Sequence, residues 1–80
     1  MYDHDLTVDF MDMTNDRRLW TRLKDARPGF VPIAGRYVVI GSEDADPAVA
    51  KIVSVNADGH IELDVLPGTV DSHRDLLAST

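Results

Sequence analysis

Cysteine is absent from the 80 residues, which excludes a disulfide framework, a thiolate metal site and a cysteine nucleophile. Aromatic residues are scarce, with one Trp, two Tyr and two Phe, so any core has to be built mainly from aliphatic side chains. No apolar run approaches the roughly 20 residues that a membrane-spanning helix requires. The opening Met-Tyr-Asp-His-Asp is acidic where a secretory signal would be basic and then apolar, so a cytoplasmic location is expected. The five glycines stand singly at turns, which leaves no phosphate-cradling loop. Positive charge is also in short supply: 8 Lys and Arg face 14 Asp and Glu, for a formal net charge of −6. Non-specific nucleic-acid binding rests on neutralising phosphates, and this balance works against it. The same balance helps solubility and steers toward basic partners. A chain this short makes one domain, residues 1–80, and buries only roughly 60% of the surface its unfolded form exposes.

What is present is β-sheet patterning. Val49 to Val55 is rich in β-branched residues, and Ile61, Leu63 and Val65 then alternate with His60, Glu62 and Asp64. That alternation is the mark of a strand with one dry and one wet face. Asn56-Ala57-Asp58-Gly59 supplies the reversal, with Gly59 able to take the positive φ that closes a bulged hairpin loop. Upstream, Leu6, Val8 and Phe10 predict a first strand over Leu6 to Met13, followed by a turn at Thr14-Asn15-Asp16. Arg17 to Ala26 reads two ways. As a helix, Asp16 would cap it and Leu19, Trp20, Leu23 and Ala26 would share a face. As a strand, Leu19, Thr21 and Leu23 would face one way and pair with the first strand. The strand is preferred, since Trp20 and Thr21 suit a pleated surface.

Arg27 to Gly35 carries Pro28, Gly29, Pro32 and Gly35 and predicts a loop, with Phe30, Val31 and Ile33 folded over an open barrel end. Tyr37-Val38-Val39-Ile40 is apolar on both faces, as in a strand covered on both sides or packed on a partner. Gly41 to Ala48 reads as an acidic loop. Near the C-terminus, Val70, Leu76 and Leu77 surround Asp71-Ser72-His73-Arg74-Asp75, predicting one helical turn capped by Asp71 or Ser72.

Val31-Pro32-Ile33-Ala34-Gly35-Arg36-Tyr37-Val38-Val39-Ile40-Gly41, with Ala50 to Val55 and the Asp58-Gly59 turn, resembles the strand-launch and hairpin rhythm of SH3-like small barrels, including the KOW type. The likeness covers the second half of the chain. It implies a small barrel and, for the KOW type, basic residues facing RNA, whereas this half of the chain is acidic. The whole chain also resembles small, acidic, uncharacterised bacterial proteins, which implies no activity. The fold expected is therefore all-β, a small five-stranded SH3-like barrel with a short C-terminal helical turn. The alternative is α+β with a helix over 17–26.

Several residue groups could carry chemistry. Arg17, Arg18, Arg22, Lys24 and Arg27 surround Trp20, a mixture suited to single-stranded nucleic acid because guanidinium groups meet phosphates and indoles stack on bases. The plainer account pairs these cations with Asp9, Asp12 and Asp16 across a hairpin and sends Trp20 into the core. His60, Glu62 and Asp64 share a strand face, but residues two apart on a strand lie roughly 6.5 Å apart, too far to converge on one ion unaided. Glu43, Asp44 and Asp46 are followed by Pro47 and lack the later ligands of a calcium loop. Ser42, Ser54 and Ser72 lie in no nucleophile-elbow pattern. No enzyme activity, metal or cofactor is expected.

The strongest positive signal is surplus apolar strand surface. One small sheet can cover only one face with its own core, so Val38, Ile40, Ala50 and Ile52 are expected to form an exposed contact patch. Burial under the Phe30–Ile33 loop and the Leu76–Leu77 tail is the alternative. The function expected is a non-catalytic module that binds another protein or a second copy of itself. The alternatives are a nucleic-acid-binding domain built on Arg17–Arg27 and an accessory subunit of an enzyme.

Overall fold

A computed structural model of the chain describes residues 4–42 and 45–78. Five strands form one curled sheet: β1 (Leu6–Thr7), β2 (Arg18–Arg22), β3 (Tyr37–Ser42), β4 (Ala45–Val55) and β5 (His60–Val65), in the spatial order β1-β3-β4-β5-β2. The fold is all-β, closed at its C-terminal end by a 3₁₀ turn (Asp71–His73) that runs into α1 (Arg74–Ala78). The β4–β5 hairpin stands where the alternation predicts it. Its turn is closed by the Gly59 N–H donating to the Asn56 carbonyl at 3.0 Å, with Gly59 at φ 91°. No helix among the described residues is long and apolar enough to cross a membrane.

Residues 17–26 take the strand conformation over Arg18–Arg22, then a 3₁₀ turn over Leu23–Asp25; the helical alternative is overturned. Arg17 sits at φ 65°, a left-handed conformation that an α-helix cannot accommodate at its start. Its guanidinium Nε instead donates to the Val65 carbonyl at 2.9 Å, fastening the start of β2 to the end of β5. From there Leu19 and Thr21 enter the core while Trp20 and Arg22 point outward.

The first strand is shorter than its pattern suggests, and it pairs in parallel with β3 instead of forming a hairpin with β2. The Asp9 carboxylate accepts the Met11 N–H at 3.0 Å and turns the chain into a short 3₁₀ segment, Phe10–Asp12. A local side-chain bond of this kind competes with the strand ladder. The acidic stretch 41–48, expected as a loop, is mostly hairpin: Ile40 pairs with Ala48 and Ser42 with Ala45. Backbone pairing extends into it because the ladder does not depend on side-chain polarity; Glu43 and Asp44 lie outside the described residues.

The concave face holds the core. Leu6, Leu19, Val38, Ile40, Ala50, Ile52, Ile61, Leu63 and Val65 are buried together, with Phe10, Met13, Ala26, Phe30 and Ala48 packed at the margin. The two sheet edges approach each other across this face. Leu6 bridges Ala26, and the buried Thr21 hydroxyl donates to the Thr7 carbonyl at 2.9 Å. On the opposite face the register sets Val39 beside Val49, and Val49 is also fully buried although it is no part of the core cluster. The chain after β5 stays close by: the Leu66 N–H donates to the Val49 carbonyl at 2.9 Å, Thr69–Asp71 lie near Asp46 and Pro47, and α1 packs on β3. The segment is held by a reciprocal pair between Thr69 and Ser72, each backbone N–H donating to the other hydroxyl, at 3.1 and 3.2 Å. Thr69 therefore opens the helical turn, three residues before the serine expected as its cap.

Shortening Ile52, which is fully buried between the hairpin and the barrel interior, leaves a cavity that a thin core cannot fill. Ile52→Ala should lower unfolding free energy in urea by about 2–5 kcal/mol. Val31→Ala, at an exposed site, should stay within about 0.5 kcal/mol of the parent chain. Equal losses at both positions would contradict the assigned core.

Candidate partner-binding surfaces

The expected apolar patch is not on the surface. Val38, Ile40, Ala50 and Ile52 are all buried within one chain, none more than 4% exposed. The reason is geometric. The sheet curls, so alternate residues of β3 and β4 converge with β1, β2 and β5 on one interior, while on the other face Val49 is buried and Val39 is half-buried. No side chain of the four is available to a partner.

The basic segment is dispersed rather than gathered. Arg17 is consumed by the Val65 and Leu66 carbonyls. Arg18 pairs with Glu62 at 2.7 Å, and Arg27 with Asp5 at 2.8 Å. These are not the partners expected: Asp9, Asp12 and Asp16 make none of the ion pairs described for these arginines. Strand pairing explains the change, because β2 lies against β5 and sets Arg18 opposite Asp64 and Trp20 opposite Glu62. Trp20 leaves the core and stands 49% exposed on the outer sheet face, while Arg22 and Lys24 are exposed beyond it. An indole flanked by a carboxylate and a neutralised guanidinium is a poor phosphate-tracking surface.

The histidine and carboxylate groups are likewise engaged locally. His60 bonds Asp58 at 2.9 Å, and Glu62 is shared between Arg18 and the Ser54 hydroxyl. Among the described residues no three of His, Asp and Glu come together as a metal-ligand set. Asp46 is exposed at the start of β4, while its expected companions Glu43 and Asp44 lie outside the described residues. Ser54 and Ser72 spend their hydroxyls on Glu62 and on the Thr69 turn.

What the fold does build is a half-open groove of about 500 Å³ beside the start of β3, within the roughly 300–1,000 Å³ range of ligand clefts. Two tight turns frame it. The first runs from Arg27 to Phe30 around Pro28-Gly29 and is closed by the Phe30 N–H on the Arg27 carbonyl at 3.1 Å. The second runs from Ile33 to Arg36 and is closed by the Arg36 N–H on the Ile33 carbonyl at 3.2 Å. Both are pinned to the sheet. The Arg27 N–H donates to the Asp5 carbonyl at 2.9 Å, and Gly35 and Arg36 exchange backbone bonds with Ile52 at 2.7 and 2.8 Å. Phe30 folds inward, as the loop pattern suggested, and the Arg27 guanidinium lies 5.5 Å from its ring centre. Val31 and Ile33 do not: they remain 71% and 42% exposed on the groove's rim, with Tyr37 and Leu77 on its walls. The sequence signal for this site was the presence of three large apolar residues among turn formers. Which of them turns inward depends on the turn geometry, so periodicity could not separate Phe30 from Val31 and Ile33.

No family model, curated protein or solved structure matches the chain.

Two carboxylates bear on acid stability. The Asp58 carboxyl is held below its ordinary value of 3.8 chiefly by the hydrogen bond from the His60 ring, and Asp16 chiefly by the bond from the Thr14 hydroxyl. A depressed folded-state pKa adds stability above the unfolded value and loses it as pH falls through the folded one. The stability gap between the parent chain and Asp58→Asn, read by urea unfolding, should therefore shrink between about pH 6 and about pH 2. A gap that is constant over that range would contradict the assignment.

Proposed function

We propose that this chain is a non-catalytic, SH3-like small barrel module that binds another protein through the groove beside β3. The observation that carries the reading is the placement of Val31 and Ile33. Turns pinned to Asp5 and Ile52 hold them outward beside a preformed concavity, and Val31, 71% exposed, is barer than any of the outward apolar residues of the sheet, Trp20, Val53 and Val55. Exposed aliphatic groups at the lip of a groove lose water contact only when something docks there. Rigid framing also lowers the ordering cost of binding. The engagement of Arg17, Arg18 and Arg27 in structural bonds argues against the nucleic-acid alternative, and the described residues of the groove bring Asp5 alone of the acids to it, already paired with Arg27, which argues for binding over turnover.

Affinity capture from native extract, quantified for the parent chain and for two variants, tests the reading. A specific partner should be enriched by the parent chain and by Trp20→Ala, and its recovery should fall about tenfold or more with Val31→Asp combined with Ile33→Asp, as for loss of an interface anchor. Capture that survives the double substitution, or that is lost with Trp20→Ala instead, would move the contact surface away from the groove.

A further inference from the structure

We infer that the occupant of the groove is an extended, anionic segment of the partner, an apolar side chain flanked by carboxylates; this rests on the groove being the docking site. The argument is charge complementarity. The groove's charged residues are Asp5, Arg27 and Arg36. Asp5 is engaged at both oxygens, one carboxylate oxygen accepting from Arg27 Nε at 2.8 Å and the other from the Val39 N–H at 3.1 Å. Its charge is balanced by that of Arg27. Arg36 is exposed, and its guanidinium makes no ion pair among the described residues.

The groove thus carries a surplus positive charge in a molecule whose net charge is −6. The two act over different ranges. At physiological ionic strength the Debye length is about 8 Å, so the distant carboxylates are screened while a group docked against Arg36 is not. Arg36 is also held in position, because both its backbone N–H and its carbonyl are bonded, to Ile33 and Ile52 respectively. A guanidinium carried on a pinned backbone next to exposed aliphatic groups fits a carboxylate adjacent to an apolar side chain. A second copy of this chain is a weaker candidate, since two bodies of −6 repel.

The test uses three pools of acetylated octapeptides with a central Leu or Phe and flanks drawn from Asp/Glu, Lys/Arg or Ser/Gly. Each is titrated into the isotopically labelled full chain and followed by backbone amide shifts. The Asp/Glu pool should move the amides of Val31, Ile33, Arg36 and Leu77 and should bind tightest. Arg36→Glu should weaken it by roughly tenfold and Arg36→Gln by roughly threefold, the scale of exposed ion pairs. Equal binding of the Ser/Gly pool with no effect of Arg36→Glu would leave the groove as the docking site and overturn its anionic preference. Tighter binding of the Lys/Arg pool would also overturn it. If no pool moves the groove amides, the docking reading and the inference fall together.

Discussion

Closure of the curled sheet over one aliphatic core is the constraint that organises this molecule. A sheet in a chain of this length ordinarily hides one face and wets the other. Here Val38, Ile40, Ala50 and Ile52 line the barrel interior while Val49, on the reverse side, is sealed as well. The chain meets the demand with its own ends. β1 and its bridge to Ala26 close the concave side, and α1 packs on β3. Further along β4 the outer face is wetter, with Val53 and Val55 38% and 39% exposed, so the second dry side is confined to the surroundings of Val49.

That solution leaves the rest of the surface with specific work. Polar side chains are spent on fastening: Arg17 on the end of β5, Asp5 on Arg27 and the Val39 amide, Thr69 and Ser72 on each other. The cations therefore do not form a continuous phosphate-binding track. The loop between Arg27 and Arg36 is pinned at both ends but not collapsed, so its apolar residues divide, with Phe30 inward and Val31 and Ile33 outward. The groove is a by-product of closing the barrel with two tight turns, and Arg36 gives it a positive charge that Asp5 does not neutralise.

Period-two patterns read true where a strand has one dry face. His60 to Val65 and the Asn56–Gly59 reversal were legible residue by residue, because each side chain reports its own side of the sheet. β2 was legible once Trp20 and Thr21 were weighed as pleated-surface residues, although its partner was not: pairing with β5 rather than β1 depends on the parallel placement of β1, a long-range choice. The apolar quartet of β3 and β4 misled for a related reason. Residues apolar on both faces announce that both faces are covered, but composition cannot say whether the cover is a second molecule or the tail of the same chain. For this quartet the cover is the curl of the sheet itself, which brings Leu6 and Leu19 from the two edge strands onto the same interior, a long-range arrangement that leaves no local pattern.

The account therefore depends on one chain sufficing to cover its own sheet. The most direct test is the thermal unfolding midpoint measured from about 1 μM to about 1 mM, since a fold completed by a second copy gains stability with concentration by mass action. The midpoint should stay constant across that range. A midpoint that climbs steadily with concentration would mean that another molecule supplies the cover, and would contradict the account.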